Sequence, residues 1–152
     1  MSIATLLKAG RLEPGRELDL LLEQAGGDGA AVSFVGVARA RSRDGRRVKS
    51  VELQTHPVLT ERSLEEIAGA AVRRFDLNHV RVVHRVGKIL PGEPIVFAGA
   101  SSLHRRAAFD AADYLMDRLK TDAVFWKLES VEDGDEWIEP TASDRKDRAR
   151  WG

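Results

Sequence analysis

Two groups of residues in this chain are of types that could do chemistry, and both fall between Ser101 and Glu129 (SSLHRRAAFDAADYLMDRLKTDAVFWKLE). At the start, Ser102 reads as a helix N-cap followed at once by His104, Arg105 and Arg106. A helix N-terminus already favours negative charge, so a histidine and two guanidinium groups there make a site for phosphate or carboxylate. At the other end stand Lys120 and Lys127. Lysine is scarce here: of 24 basic residues only six are lysine, Lys8, Lys49, Lys88, Lys120, Lys127 and Lys146. Arginine cannot give up its proton, so a lysine kept in such a background supplies a titratable amine or a compact point charge.

The elements that must position these groups follow from periodicity. Ala107, Ala108, Ala111, Tyr114, Leu115 and Leu119 recur at helical spacing, which predicts a helix over about 103–120 with that face buried. Arg106, Asp110, Asp113, Asp117 and Lys120 lie on the opposite face, so the plain alternative for Lys120 is a solvated stripe with Asp117 three residues before it. After Thr121-Asp122 the period changes to two. Ala123, Phe125, Lys127 and Glu129 point one way and Val124, Trp126 and Leu128 the other, placing Lys127 in a strand flanked by aromatics.

Composition bounds the function. The 152 residues, 43% apolar and 32% charged, read as one globular domain able to build a core, with 1–28 a lead-in and 141–152 a polar tail. Formal net charge is zero, which argues against bulk attraction to nucleic acid or to an acidic membrane. There is no cysteine, so disulfides, thiolate metal sites and cysteine nucleophiles are excluded, and sulfur chemistry would need sulfur carried in by another molecule. The first residues lack a signal pattern, and no apolar run approaches the roughly 20 residues that span a bilayer, so cytoplasm is the default expectation.

Along the chain, a short apolar start around Ile3 to Leu7 precedes a helix from about Arg16 to Ala25, ended by Gly26-Gly27. Gly29 to Val37 is small and β-branched and reads as a buried central strand in which Gly36 marks a close approach to the backbone. Arg39 to Arg47 is a basic loop turning at Asp44-Gly45: either a solvated hairpin connection, or one in which Arg39 faces a ligand while the later arginines stay in water. Val48–Thr55 is a half-buried strand, and Leu64, Ile67, Ala68, Ala71, Val72 and Phe75 form the buried face of a second helix. Strands are predicted for His79–Val86 and Ile95–Ala100, joined by a loop over Gly87–Glu93 with a turn at Pro91-Gly92. His56, His79 and His84 read as structural; no metal-ligand spacing joins them, so no metal is assigned. Glu132 to Asp135 turns the chain into a hairpin strand, Glu136–Glu139, and Pro140 stops it. The residues from Thr141 on form a short helix or a mobile tail.

The ordered set GAAVSFVGVAR, VVHRVGKILPGE, SSLHRRAAFDA, DRLKTDAVFWKLE and EDGDEW resembles the large, catalytic subunit of molybdopterin synthase over about Gly29 to Pro140. The resemblance implies an α+β fold of the α/β hammerhead kind, its mixed, mainly antiparallel sheets packed with helices. It also implies a homodimer that binds two copies of a small ubiquitin-like sulfur carrier, giving a heterotetramer. The carrier's C-terminal glycine would arrive as a thiocarboxylate whose sulfur passes, in two rounds, to cyclic pyranopterin monophosphate; no cofactor is assigned, and the balanced charge and short apolar runs give no reason to expect nucleic acid or a membrane as partner. Carried over residue by residue, the family's functional lysines fall on Lys120 and Lys127. Its substrate-binding positions fall on Val37, Ala38 and Arg39, on His104 and Arg105, and on Lys120 and Lys127 with Leu128 and Glu129. Ala40-Arg41-Ser42 and Leu128 depart from the common pattern, in which a His-Asn pair and another basic residue stand.

Two alternatives fit parts of the sequence. One is a phosphate-ester enzyme using His104 as acid or base with an arginine clamp and no protein partner. The other is a non-catalytic subunit binding anions or nucleic acid through Arg39–Arg47, against which the zero net charge and the lack of interleaved aromatics both count.

Overall fold

The computed structural model describes residues 2–152. The described residues form two four-stranded sheets and four helices. In the first sheet the strand order is β1 (Ser2–Lys8), β4 (His79–Arg85), β6 (Pro94–Ser102), β2 (Ala30–Val37); β1 runs parallel to β4 and the other pairs are antiparallel. The second, wholly antiparallel, has the order β5 (Gly87–Ile89), β3 (Val48–Thr55), β7 (Phe125–Val131), β8 (Gly134–Ile138). Helices α2 (Leu59–Arg74) and α3 (Arg105–Thr121) cover one face of the first sheet and α1 (Pro14–Ala25) the other. The architecture is the expected α+β arrangement of mixed, mainly antiparallel sheets packed with helices.

Strand alternation explains the two-sided packing of the first sheet. Val80, Val82, Val96, Ala98 and Ala100 point to α2 and α3, where they meet Leu64, Ile67, Ala111 and Leu115; Val83 and Phe97 point the other way, onto Leu12 and Leu21. In α3 the predicted face is the buried one: Ala108, Ala111, Tyr114, Leu115 and Leu119 are inside, joined by Ala112, while Ala107 is partly covered.

The loop expected over Gly87–Glu93 begins instead as β5, because Gly87–Ile89 find backbone partners in Leu53–Val51 of β3. Two further expectations are corrected. Gly29–Val37 was expected to be a central strand, but β2 is an edge, with Phe34 and Val37 43% and 52% exposed. The central positions belong to β4 and β6, because β1 pairs beyond β4. An apolar run without alternation marks a strand whose side chains are apolar on both faces, and this property does not report whether its outer edge is paired. The close approach at Gly36 is real: a Cβ there would lie 2.7 Å from Val96 Cγ1. The second correction is Ser102, which ends β6 instead of capping α3. Its hydroxyl donates to the Asp76 carbonyl (2.6 Å), and His104 takes the N-cap position in an extended conformation without a side-chain cap.

The tail resolves as a helix. Thr141 and Asp144 form a reciprocal capping box, Asp144 N–H donating to Thr141 Oγ1 (2.9 Å) and Thr141 N–H to Asp144 Oδ2 (2.9 Å), and α4 spans Ala142–Ala149. Beyond it Trp151 packs edge-on to Phe75 and Tyr114 and donates from Nε1 to Asp117 (2.7 Å), while Arg150 pairs with Asp117 (2.7 Å) and Asp113 (3.2 Å). The acidic stripe on α3 is thus engaged by the tail, and Asp117 is committed to Arg150 and Trp151.

Candidate functional site

Lys120 occupies the last turn of α3 and is exposed; Lys127 is the third residue of β7, seven positions on. The short connection between helix and strand is what lets them share a region. Thr60 and Ser63 of α2 fasten it: Thr60 Oγ1 donates to the Val124 carbonyl (2.6 Å), and Val124 N–H donates to Ser63 Oγ (3.0 Å). In β7 the side chain of Lys127 lies on the face shared with Phe125 and Glu129, flanked in register by Leu53 of β3 and Ile138 of β8. An amine held among such neighbours loses hydration, which disfavours its charged form. Burial first, then the charges of Lys120 and Arg39, push Lys127 down from 10.5 to about 8, against the opposing pull of Asp144 and Glu129. Among the described residues neither lysine is within ion-pair distance of a carboxylate.

Arg39 joins them because the chain leaving β2 is tied on both sides. Ala38 N–H donates to the Glu93 carbonyl (2.9 Å), Gly92 N–H to the Ala38 carbonyl (2.8 Å), and Val48 N–H to the Ala40 carbonyl (2.9 Å). Ala38 itself is buried among Leu53 and Ile89. Between Arg39 and Arg47 the chain is a hairpin connection closed by the Arg41–Arg47 bridge, but its arginines do not all stay in water. Arg46 is spent on structure, bridging Asp44 (2.9 Å), Asp133 (3.0 Å) and Glu136 (2.5 Å), which ties this hairpin to that of β7 and β8.

His84, read from sequence as structural, belongs to this region as well. Its ring sits 4.3 Å from that of Phe125, and its Nδ1 is 2.9 Å from the Arg85 carbonyl. A carbonyl only accepts, so the proton is on Nδ1 and Nε2 keeps its lone pair. Burial, with smaller contributions from Lys127 and Lys120, pushes its pKa down to about 4, so it is neutral at physiological pH. The signal for it was its place in VVHRVGKILPGE.

Of the other sequence-predicted positions, Val37 is exposed at the end of β2 and Glu129 shares the Lys127 face. Leu128 points to the opposite face of β7, beside Glu52 and Trp137, so it offers this site only backbone. His104 and Arg105 are not brought to the lysines within one chain. Arg105 and Lys120 stand at opposite ends of α3, roughly 22 Å apart along its axis. The sheet agrees, since β2 pairs with β6 from Ala30 opposite Ser102 at the His104 end to Val37 opposite Pro94 at the Arg39 end. Neither of two surface cavities, one between Arg11, Arg16 and Pro94 and the other along Ile3–Leu6, reaches these residues.

Fold and site together define an α+β protein with a cysteine-free cationic centre built from Arg39, Lys120 and Lys127. The chain belongs to the MoaE protein family, whose model matches residues 9–122. It is 44% identical over 149 residues to the molybdopterin synthase catalytic subunit of Pseudomonas aeruginosa, covering 98% of this chain and 99% of that one. Among solved structures, the molybdopterin biosynthesis MoaE protein from Burkholderia ambifaria superposes with a TM-score of 0.84 at 35% identity over 99% of each chain. A protein-protein complex of subunits 1 and 2 of the molybdopterin-converting factor from Helicobacter pylori includes a chain of the same fold, with a TM-score of 0.72 at 18% identity over 91% of this chain and 90% of that one.

Proposed function

We propose that this chain is the catalytic subunit of a molybdopterin synthase. In this role it moves sulfur from the C-terminal thiocarboxylate of a small ubiquitin-like carrier to cyclic pyranopterin monophosphate, in two rounds that build the dithiolene. The observation that carries the reading is the convergence of Lys120, Lys127 and Arg39 where α3 passes into β7, with one amine close to neutral in pKa. Each round forms a carbon–sulfur bond on the pterin side chain and breaks a carbon–oxygen bond, so negative charge grows on a departing oxygen. The resulting thioester to the carrier is then cleaved by water, which leaves sulfur on the pterin and a carboxylate on the carrier. Ammonium and guanidinium groups stabilise both developing charges, and an amine with a pKa near 8 can hold or release a proton along the way. We assign Lys120 to the carrier's terminal carboxyl and Lys127 to the pterin.

The anion-binding pair His104–Arg105 enters this scheme from a second copy of the chain, since α3 holds it too far from the lysines of its own protomer. A homodimer, with one carrier on each protomer, gives every site both sets of residues. The subunit 1 and 2 complex from Helicobacter pylori supports a small protein partner by analogy of fold.

The test is to mix purified chain with thiocarboxylated carrier and cyclic pyranopterin monophosphate and measure molybdopterin, with the carrier omitted as control. Carrier-dependent molybdopterin is the expected result. Turnover of phosphorylated metabolites without any carrier would replace this reading with a phosphate-ester activity.

A further inference from the structure

The three cations of the site face no ion-paired carboxylate among the described residues, yet the first turn of α4 brings one close. Pro140-Thr141 follows β8, whose Ile138 is the register partner of Lys127, so the helix starts beside the strand that carries the amine. Farther along α4, Arg148 Nε lies 2.9 Å from Oδ2 of Asp122, the C-cap of α3 two residues beyond Lys120. Asp144 is four residues before Arg148 and therefore on the same face, about 6 Å back along the axis, past the end of α3. The capping box fixes its carboxylate there.

We propose that Asp144 is a positioning residue of the lysine site: held by Thr141 at the start of α4, its carboxylate joins Glu129 in supplying counter-charge to Lys120 and Lys127. This builds on the function proposed above. The charged and titratable groups around Lys127 are Lys120 from α3, Arg39 after β2, His84 from β4, Glu129 on its own strand and Asp144 from α4; Asp144 in turn faces Lys120 and Arg43. Burial works against the charged form of Asp144, but the hydrogen bonds with Thr141 and the fields of Lys120 and Arg43 outweigh it and keep the carboxyl below its ordinary range. Its pull on Lys127 exceeds that of Glu129. Arg43, four residues beyond Arg39, feels the same carboxylate, so the field of Asp144 extends to the basic loop.

Asp144→Asn keeps an amide oxygen to accept from Thr141 N–H and removes only the charge. The expected result is that the midpoint for acetylation of the Lys127 amine, followed by mass spectrometry across pH in the full chain, moves down by roughly 0.5–1 pH unit, as one nearby charge at high effective dielectric gives. The alkaline limb of molybdopterin formation moves with it, and Asp144→Glu restores most of both. An unmoved Lys127 midpoint in Asp144→Asn, whether or not the variant is less stable, overturns the inference and leaves Asp144 a helix cap. Absence of molybdopterin from the unaltered protein sinks the functional proposal instead, while the labelling midpoint still decides the role of Asp144.

Discussion

Replacing Lys127 with methionine should make the protein more stable while abolishing its activity. The side chain packs between Leu53 and Ile138, and its amine has been pushed down from 10.5 to about 8. At pH 7 the amine is protonated in both folded and unfolded chains, so folding carries the full cost of the charged group. At roughly 1.4 kcal/mol for each tenfold, the gap between 10.5 and about 8 corresponds to about 3 kcal/mol. Lys127 is only half-buried, and solvent screening reduces this to about 1–2 kcal/mol. Methionine has nearly the same length and no charge to desolvate. The sign follows from linkage. The folded-state pKa lies below the unfolded one, so the cost is complete below pH 8 and is relieved as pH rises from 8 towards 10.5. Urea denaturation at pH 7 should therefore place Lys127→Met above the unaltered protein by that amount, with the two curves converging near pH 10, while molybdopterin formation is lost. A variant less stable at pH 7, or a stability gap that does not change with pH, would refute the claim that desolvation and neighbouring cations hold this amine near neutrality.

Lys120→Ala should reduce molybdopterin formation strongly while the oligomeric state measured by size-exclusion chromatography stays the same, because the side chain is exposed and supports no core contact; near-normal turnover would remove it from the site. For His84, the folded-state pKa of about 4 lies below the ordinary 6.5, so the unfolded chain takes up its proton first as pH falls. Stability should decline between pH 6.5 and 4 by up to about 3 kcal/mol from this residue alone, and His84→Phe should flatten that part of a urea-midpoint profile. Leu115→Ala, which opens a cavity in the fully buried face of α3, should cost about 2–5 kcal/mol in the same assay without changing the pH dependence of whatever activity remains.

Local pattern determined most of the elements, since the period of a helix or strand is a property of a few consecutive residues; β1 and β5, too short or too plain to show a period, are strands only because they pair with β4 and β3. The α3 face from Ala108 to Leu119, the switch to strand before Lys127, the hairpin at Asp44-Gly45 and the break at Pro140 all lie where spacing and turn chemistry put them. The arrangement of Lys120 and Lys127 was nearly local as well, seven residues apart across one short connection. What only the tertiary structure decided was whatever depends on residues distant in sequence. Whether β2 is central or at an edge turns on β1 pairing with β4 some 77 residues away, and no pattern inside β2 records that. Asp144 and His84 come to the lysines through the docking of α4 and the end of β4, and their charges act through space and not along the chain. The separation of His104 and Arg105 from Lys120 follows from helix geometry once one helix is known to hold both, because a rigid rod of 17 residues keeps its two ends apart.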